Sequence, residues 1–303
     1  MEAIVPHRGF GTKEQVIISG HVFKRYSQQE IDEKSSVWKN VWANFMRFYN
    51  QPATHCEVII YMNNEQVKLQ TDQNGYFEAT IITAHEALGW HVYEAHVQSL
   101  GLSATCEYKV TDSYGTGVIS DIDDTLLVSH SNLDFRKLLT YLRHNAHTRK
   151  PTEAMQTMLP MLKEYNNGLP VSDFFYVSNS EWNLYEFLLA FFDLNEIPKG
   201  VYLLKTLITH PVQFIFKQGR AEKRGHKYHE IHRLFRLYKN KQFVLIGDTA
   251  QHDVALFQNM VEQFENQVSA ILLHQIKEKH GSKYFELKQL LKEKDIPLEV
   301  IKK

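Results

Sequence analysis

Short runs in which apolar and polar residues alternate fill the first third of the chain. Alternation with a period of two marks half-buried strands. It predicts strands over Gln15–Phe23, Val58–Met62, Gln66–Gln70, Tyr76–Ile82, Trp90–Val97 and Ala104–Val110. Asn63-Asn64 and Asn74-Gly75 fall between them as turns, Asn-Gly being the stronger signal because both residues accept positive φ. Repeated short strands at this spacing predict a small β-sandwich over residues 1–112. One segment breaks the rhythm. Ser35 to Tyr49 carries Val37, Trp38, Val41, Trp42, Phe45, Met46 and Phe48 at helical spacing, which predicts a helix covering an open end of the sandwich. Its two Trp and two Phe would also suit a membrane or partner interface.

Thr111 to Gly117 (TDSYGTG) is polar and glycine-containing, the mark of a linker. Beyond it, apolar β-branched runs alternate with helix-spaced segments. Strands are predicted over Gly117–Ser120, Asp173–Ser178, Gly200–Leu204, Lys241–Gly247 and Val268–His274. Helices are predicted over Leu133–Asn145, Thr152–Tyr165, Glu181–Phe191 and His226–Tyr238, with Pro151 as a breaker between the first two. Such alternation implies an α/β domain over residues 113–303, built on a doubly wound parallel sheet with right-handed crossovers.

Composition narrows the classes. With 43% hydrophobic and 23% charged residues the chain reads as globular rather than disordered. A formal net charge of −1 supplies no global attraction to nucleic acid. No apolar run reaches the roughly 18 residues of a spanning helix, and Met1 to Arg8 lacks the shape of a signal peptide. Cys56 and Cys106 match no metal or redox spacing, so a reducing, cytoplasmic setting is expected.

Open parallel sheets bind ligands beyond the carboxyl ends of their strands, so the residues after each apolar run carry the chemistry. After the first come Asp121, Asp123, Asp124 and Thr125, three carboxylates that repel one another unless a cation or phosphoryl chemistry uses them. Asp121 and Asp123 lie on the same side of an extended chain. After the second come Ser178, Asn179 and Ser180, and after the fourth Gly247-Asp248, with Asp253 five residues on. Lys227 is expected to open a helix between the second and fourth strands. Oxygen ligands in this number favour Mg²⁺, and a carboxylate can attack phosphorus to give an aspartyl phosphate. Blander duties compete. Ser178 could cap a helix, Thr125 could tie its own turn, and Lys223 rivals Lys227. Trp182 either walls the site or packs, and His229 with His232 lacks the third ligand of a zinc site. Arg220, Lys223, Arg224, Lys227, Arg233 and Arg236 form a basic excess, a solvated helix face that could also attract an anionic lipid head group.

Taken in order, D-x-D-x-T at 121–125, Ser178, Lys227 and Gly247-Asp248 with Asp253 resemble the four motifs of haloacid dehalogenase-type phosphatases. More closely, SDIDDT, YVSNSEW, HK-x-x-x-I and LIGDTAQHD resemble the phosphatidate phosphatase catalytic domain of the actin-patch-associated family, and the β-rich region resembles what precedes it there. The resemblance implies a haloacid dehalogenase-like (Rossmannoid) fold, with a small helical cap within Ser129 to Ser172. It implies Asp121 as nucleophile and Mg²⁺ ligand, and Asp123 as acid–base whose backbone carbonyl also faces the metal. Asp248 and Asp253 would complete the metal ligands, while Ser178, Asn179 and Lys227 would hold phosphate oxygens. The implied substrate is phosphatidate or a related phospholipid, with peripheral membrane contact and no nucleic-acid partner. The alternatives are a phosphatase for soluble or protein phosphomonoesters, and a phospholipid-sensing module without turnover. Intact Asp121 and Asp123 argue against the sensing module, while the fifth strand lacks the arginine expected after it in this family.

Overall fold

The computed structural model describes residues 1–26, 50–83, 87–122, 153–205, 220–249, 251–275 and 281–302. They group into two compact units, one ending at Asp112 and the other beginning at Ser113. The helix expected over Ser35–Tyr49 lies outside the described residues, as do the helix expected over Leu133–Asn145 and most of the cap segment.

The first unit contains β1 (Ala3–Gly11), β2 (Gln15–Arg25), β3 (Gln51–Pro52), β4 (Glu57–Met62), β5 (Glu65–Gln70), β6 (Tyr76–Ile82), β7 (Gly89–Val97) and β8 (Leu102–Val110). The sandwich expectation needs correction here. Instead of two separate sheets, the strands join in one hydrogen-bonded path, β3-β2-β1-β8-β7-β4-β5, with β6 also paired to β2. This mixed sheet curls around one core in which Val16, Ile18, Val22, Ile60, Phe77, Tyr93 and Tyr108 are buried together. The link is the short parallel pairing of Gly9–Gly11 with Tyr108–Val110. The turn from β1 into β2 requires glycine at 11: a Cβ there would stand 2.1 Å from the Gln15 carbonyl oxygen.

The second unit contains β9 (Thr116–Asp121), β10 (Asp173–Glu181), β11 (Val201–Lys205), β12 (Gln242–Asp248), β13 (Val268–His274) and β14 (Leu298–Ile301). Its helices are α1 (Glu153–Met161), α2 (Tyr185–Leu194), α3 (Arg220–Leu237), α4 (Gln251–Gln263) and α5 (Ser282–Glu293). The strands form one sheet, ordered β11-β10-β9-β12-β13-β14, and every neighbouring pair is parallel. Val118, Ile119, Phe175, Val177, Val244, Leu245, Ile246, Ile271 and Leu272 are buried, as the continuous apolar runs of a covered parallel sheet require. Helix α3 buries Ile231, Leu234 and Phe235 on one face, and Tyr238, just past its end, continues the i, i+3, i+4, i+7 stripe. The chain runs from β9 outward through β10 to β11, then returns to the other side of β9 for β12. That reversal opens a crevice at the carboxyl ends of β9 and β12, the place where open parallel sheets bind ligands. No helix among the described residues is long and apolar enough to cross a membrane.

Candidate active site

Two carboxylates arrive at the crevice because two neighbouring strands end there. Asp121 closes β9 and Asp248 closes β12. Ile246 is in register with Ser120, which sets these ends one strand spacing apart, roughly 4.8 Å. Asp253 follows in the first turn of α4, where the positive end of the helix dipole favours a carboxylate. All three residues are buried, and one carboxylate oxygen from each lies within 4.8 Å of the others.

Lys227 enters from α3. Its Nζ stands 2.7 Å from Asp121 Oδ1 and 3.0 Å from Asp253 Oδ1. The Asp253 contact is a directed hydrogen bond, whereas the Asp121 contact is close in distance but off the hydrogen-bond direction. One lysine against three carboxylates leaves two negative charges in excess among these four groups. Buried like charges persist only when something further compensates them. A small divalent cation with oxygen ligands would meet that need, and this donor set could hold one.

Gly247 makes the packing possible. A Cβ there would stand 2.8 Å from Asp253 Oδ2 and 2.8 Å from the Phe257 ring. The Asp253 Oδ2 also accepts the Asp248 N–H at 3.3 Å, which ties the two acidic segments together.

On the other flank, β10 carries a register shift. Val177 pairs with Leu203 and Glu181 with Lys205, so β10 uses four residues where β11 uses two. The surplus falls on Ser178, Asn179 and Ser180, and bulges of this kind re-aim side chains beside active sites. Ser178 is fully buried, and its Oγ accepts the Ser180 N–H at 2.8 Å. Asn179 Oδ1 is buried with no hydrogen-bond partner among the described residues. Val177 is in register with Asp121, so this bulge borders the acidic cluster directly.

The structure thus brings together Asp121, Asp248, Asp253 and Lys227, with Ser178 and Asn179 on the bordering bulge. Asp123, Asp124 and Thr125 lie outside the described residues, as does the Lys223 side chain. Lys227 does not open its helix: α3 starts at Arg220, because Arg, Ala, Glu and Lys are good helix formers even without an apolar stripe. His229 is exposed, and His232 stacks on Tyr228 with ring centroids 5.7 Å apart. Neither joins a metal-competent group among the described residues. Trp182 packs on Tyr185, their ring centroids 5.4 Å apart. At the end of β13, where an arginine was expected nearby, His274 is buried in register with Asp248, and its carbonyl accepts the Thr249 N–H at 2.9 Å. Ser180, named at this strand end from the sequence, is buried on the bulge, while one feature escaped as a candidate: His226, whose Nε2 is buried with no hydrogen-bond partner among the described residues. The adjacency of His226 to Lys227 was the available signal for it.

These features define an α/β protein whose buried acidic cluster, at the reversal of a parallel sheet, is set against a lysine and hydroxyls. Residues 116–275, more than half of the 303-residue chain, match the family described as phosphatidate phosphatase APP1, catalytic domain, and the chain belongs to that family. It is 27% identical over 172 residues to the phosphatidate phosphatase APP1 of Saccharomyces cerevisiae, covering 57% of this chain and 28% of that protein. It is 23% identical over 232 residues to an uncharacterized protein of Schizosaccharomyces pombe, covering 71% and 33% respectively. The chain therefore spans a third or less of the length of these relatives. Among solved structures, a carbohydrate acetylesterase from Xanthomonas citri is similar at 8% identity and TM-score 0.36, covering 99% of this chain and 68% of that one. A β-glucuronidase from Bacteroides uniformis is similar at 10% identity and TM-score 0.25, covering 99% and 32%. Likenesses that weak carry no argument about fold or function.

Proposed function

We propose that this chain is a Mg²⁺-dependent phosphomonoester hydrolase acting on phosphatidate or a related phospholipid, with a haloacid dehalogenase-like catalytic domain over residues 113–303. The observation that carries the proposal is the buried trio Asp121, Asp248 and Asp253, with Lys227 ion-paired to Asp121 and Asp253. Membership of the phosphatidate phosphatase family supports the substrate class.

In this reading Asp121 attacks phosphorus, the phosphorus–ester oxygen bond breaks, and an aspartyl phosphate forms. Asp123 gives its proton to the departing alkoxide. It then takes a proton from the water that attacks the aspartyl phosphate, which releases phosphate and restores Asp121. Lys227 and the Ser178 hydroxyl hold phosphate oxygens, and positioning of this kind accounts for much of phosphoryl-transfer catalysis. Asp121, Asp248 and Asp253 would hold Mg²⁺, which when bound neutralises charge developing on the phosphoryl oxygens. The substrate is met by peripheral contact with a lipid surface.

The test is phosphate release from phosphatidate vesicles and from a soluble phosphomonoester, with Mg²⁺ and after chelation. Wild type is expected to need the metal and to favour the vesicles. Asp121→Asn should lose at least about 10³-fold in kcat, and Asp123→Asn should lose turnover while still binding Mg²⁺. Equal release by wild type and Asp121→Asn would overturn the nucleophile assignment, and preference for the soluble ester would overturn the lipid one.

A further inference from the structure

Every neighbouring pair in the second sheet is parallel, so one end collects all the strand carboxyl ends, and the acidic trio lies there. Two aromatic side chains reach solvent at the same end. Trp182 directly follows β10, three residues beyond Asn179 on the bulge. Its ring packs on Tyr185, with centroids 5.4 Å apart, and stays only half-buried. Phe285 is the fourth residue of α5 and is 59% exposed. Helix α5 joins β13 to the parallel strand β14, and the helix of such a crossover runs back against the strands. It therefore starts at the carboxyl rim.

The sheet order places these rings on opposite sides of the trio. Across β10, β9, β12 and β13, Trp182 follows the first strand and α5 is reached from the last. The ends of β9 and β12, with Asp121 and Asp248, lie between them, and the whole span is three strand spacings, roughly 14 Å. Half-open aromatic rings suit a boundary that is apolar on one side and wet on the other. The charges beside them offset one another: Lys205 on β11 and Lys283 on α5 stand against Glu186 on α2 and Glu286 on α5. Long-range attraction to an anionic surface is thus weak, and ring insertion has to carry the contact. Other exposed apolar side chains of this unit, Tyr114 and Leu169, precede β9 and β10 and so lie toward the amino end. A phosphate fixed to a bilayer lipid can reach the trio only if the carboxyl end meets the bilayer.

Resting on the phosphatase reading above, we propose that the carboxyl rim of the parallel sheet is the lipid-docking face. Trp182 and Phe285 enter the head-group layer of a phospholipid bilayer on either side of Asp121, Asp248 and Asp253.

Sedimentation of the full chain with vesicles of equal parts phosphatidylcholine and phosphatidylserine tests this without turnover, since neither lipid is a phosphomonoester. Trp182→Ala and Phe285→Ala are each expected to weaken vesicle binding by about fivefold to tenfold, the effect of losing a partly buried ring. The double variant should show about the product of the two losses, because the rings are far apart. Phe285→Trp should bind at least as tightly as wild type. Leu169→Ala, at the opposite end, should leave binding unchanged. On phosphatidate vesicles kcat/KM should fall in step with binding, while Phe285→Ala should keep wild-type kcat/KM on a soluble phosphomonoester. Wild type that does not sediment, alanine variants that bind as wild type does, or a loss confined to Leu169→Ala overturns the docking face. If Trp182→Ala does not fold, the largely exposed Phe285 decides. If the rings govern vesicle binding but no ester releases phosphate, the docking face stands and the phosphatase reading fails.

Discussion

Each of the two units buries polar side chains, and each meets the cost differently. In the curled sheet, His7 and His21 are almost completely buried. They form a short relay: Ser19 Oγ lies 3.2 Å from His7 Nδ1, and His7 Nε2 lies 3.2 Å from His21 Nδ1. Burial lowers the pKa of both, that of His21 to about 3. The rings are neutral at pH 7 and a paired neutral relay is tolerable in a core. At the rim of the parallel sheet three carboxylates are set against one lysine among the described residues. Burial of a polar group is therefore no sign of function by itself. A buried charge surplus is, because a fold has no structural reason to keep one.

The sharpest way to break this contrast is to remove the cation. Lys227→Met leaves Asp121 and Asp253 without their partner, and orphaned buried charges cost about 3–5 kcal/mol. The variant should unfold at markedly lower urea in chelator, and Mg²⁺ should return part of the loss by binding only the folded form. Phosphate release should fall by about 10²–10³-fold. A variant as stable as wild type in chelator would mean that the carboxylates are protonated already, and the charge-surplus argument would collapse.

The acidic rim was legible because the strands leading to it are continuous apolar runs with their chemistry at the end. Val268–His274 was expected as a strand and is one. The sheet as a whole was harder. Pro6, Gly9 and Gly11 interrupt the alternation that would have announced β1. The structure tolerates the proline because β1 pairs with β8 only over Gly9–Gly11, so no ladder bond to β8 is lost at Pro6. The short strand β14 is only half-buried and gives little pattern to read. Helices α4 and α5 were also passed over, although α4 buries Val254, Phe257, Met260 and Val261. The bulge at Ser178–Ser180 has no local signature, since it exists only relative to β11. Lys227 was found for its chemistry and misplaced within its helix.

Acid should act on the first unit through its histidine relay. Unfolded histidine titrates near 6.5, whereas folded His21 stays neutral down to about 3. Between those values the unfolded chain binds more protons, so stability falls as pH drops from 6.5 toward 3. His7, lowered by burial and then by His21, acts in the same direction. His21 contributes up to about 1.4 kcal/mol per pH unit, or about 2 kcal/mol by pH 5. His226 titrates low in the second unit, so the contribution of the first must be read from its own amides. Hydrogen exchange across β2 should accelerate between pH 7 and 5 after correction for the intrinsic rate, and His21→Phe should flatten that dependence. Equal slopes in the two proteins would mean that His21 is protonated in the folded chain.

The smallest effect comes from a single hydroxyl. Tyr93 is buried in the curled core, and its OH donates to the His7 carbonyl at 2.6 Å. It thereby holds the strand that carries the relay. Tyr93→Phe keeps the ring and its packing but removes the donor, a change worth about 1 kcal/mol. The urea midpoint should shift by that amount, while phosphate release per folded molecule should stay within twofold, since no group of the acidic rim belongs to this unit. A large loss of turnover with little change in stability would mean that the curled sheet contributes to the chemistry, and the separation between a neutral structural core and a charged functional rim would have to be abandoned.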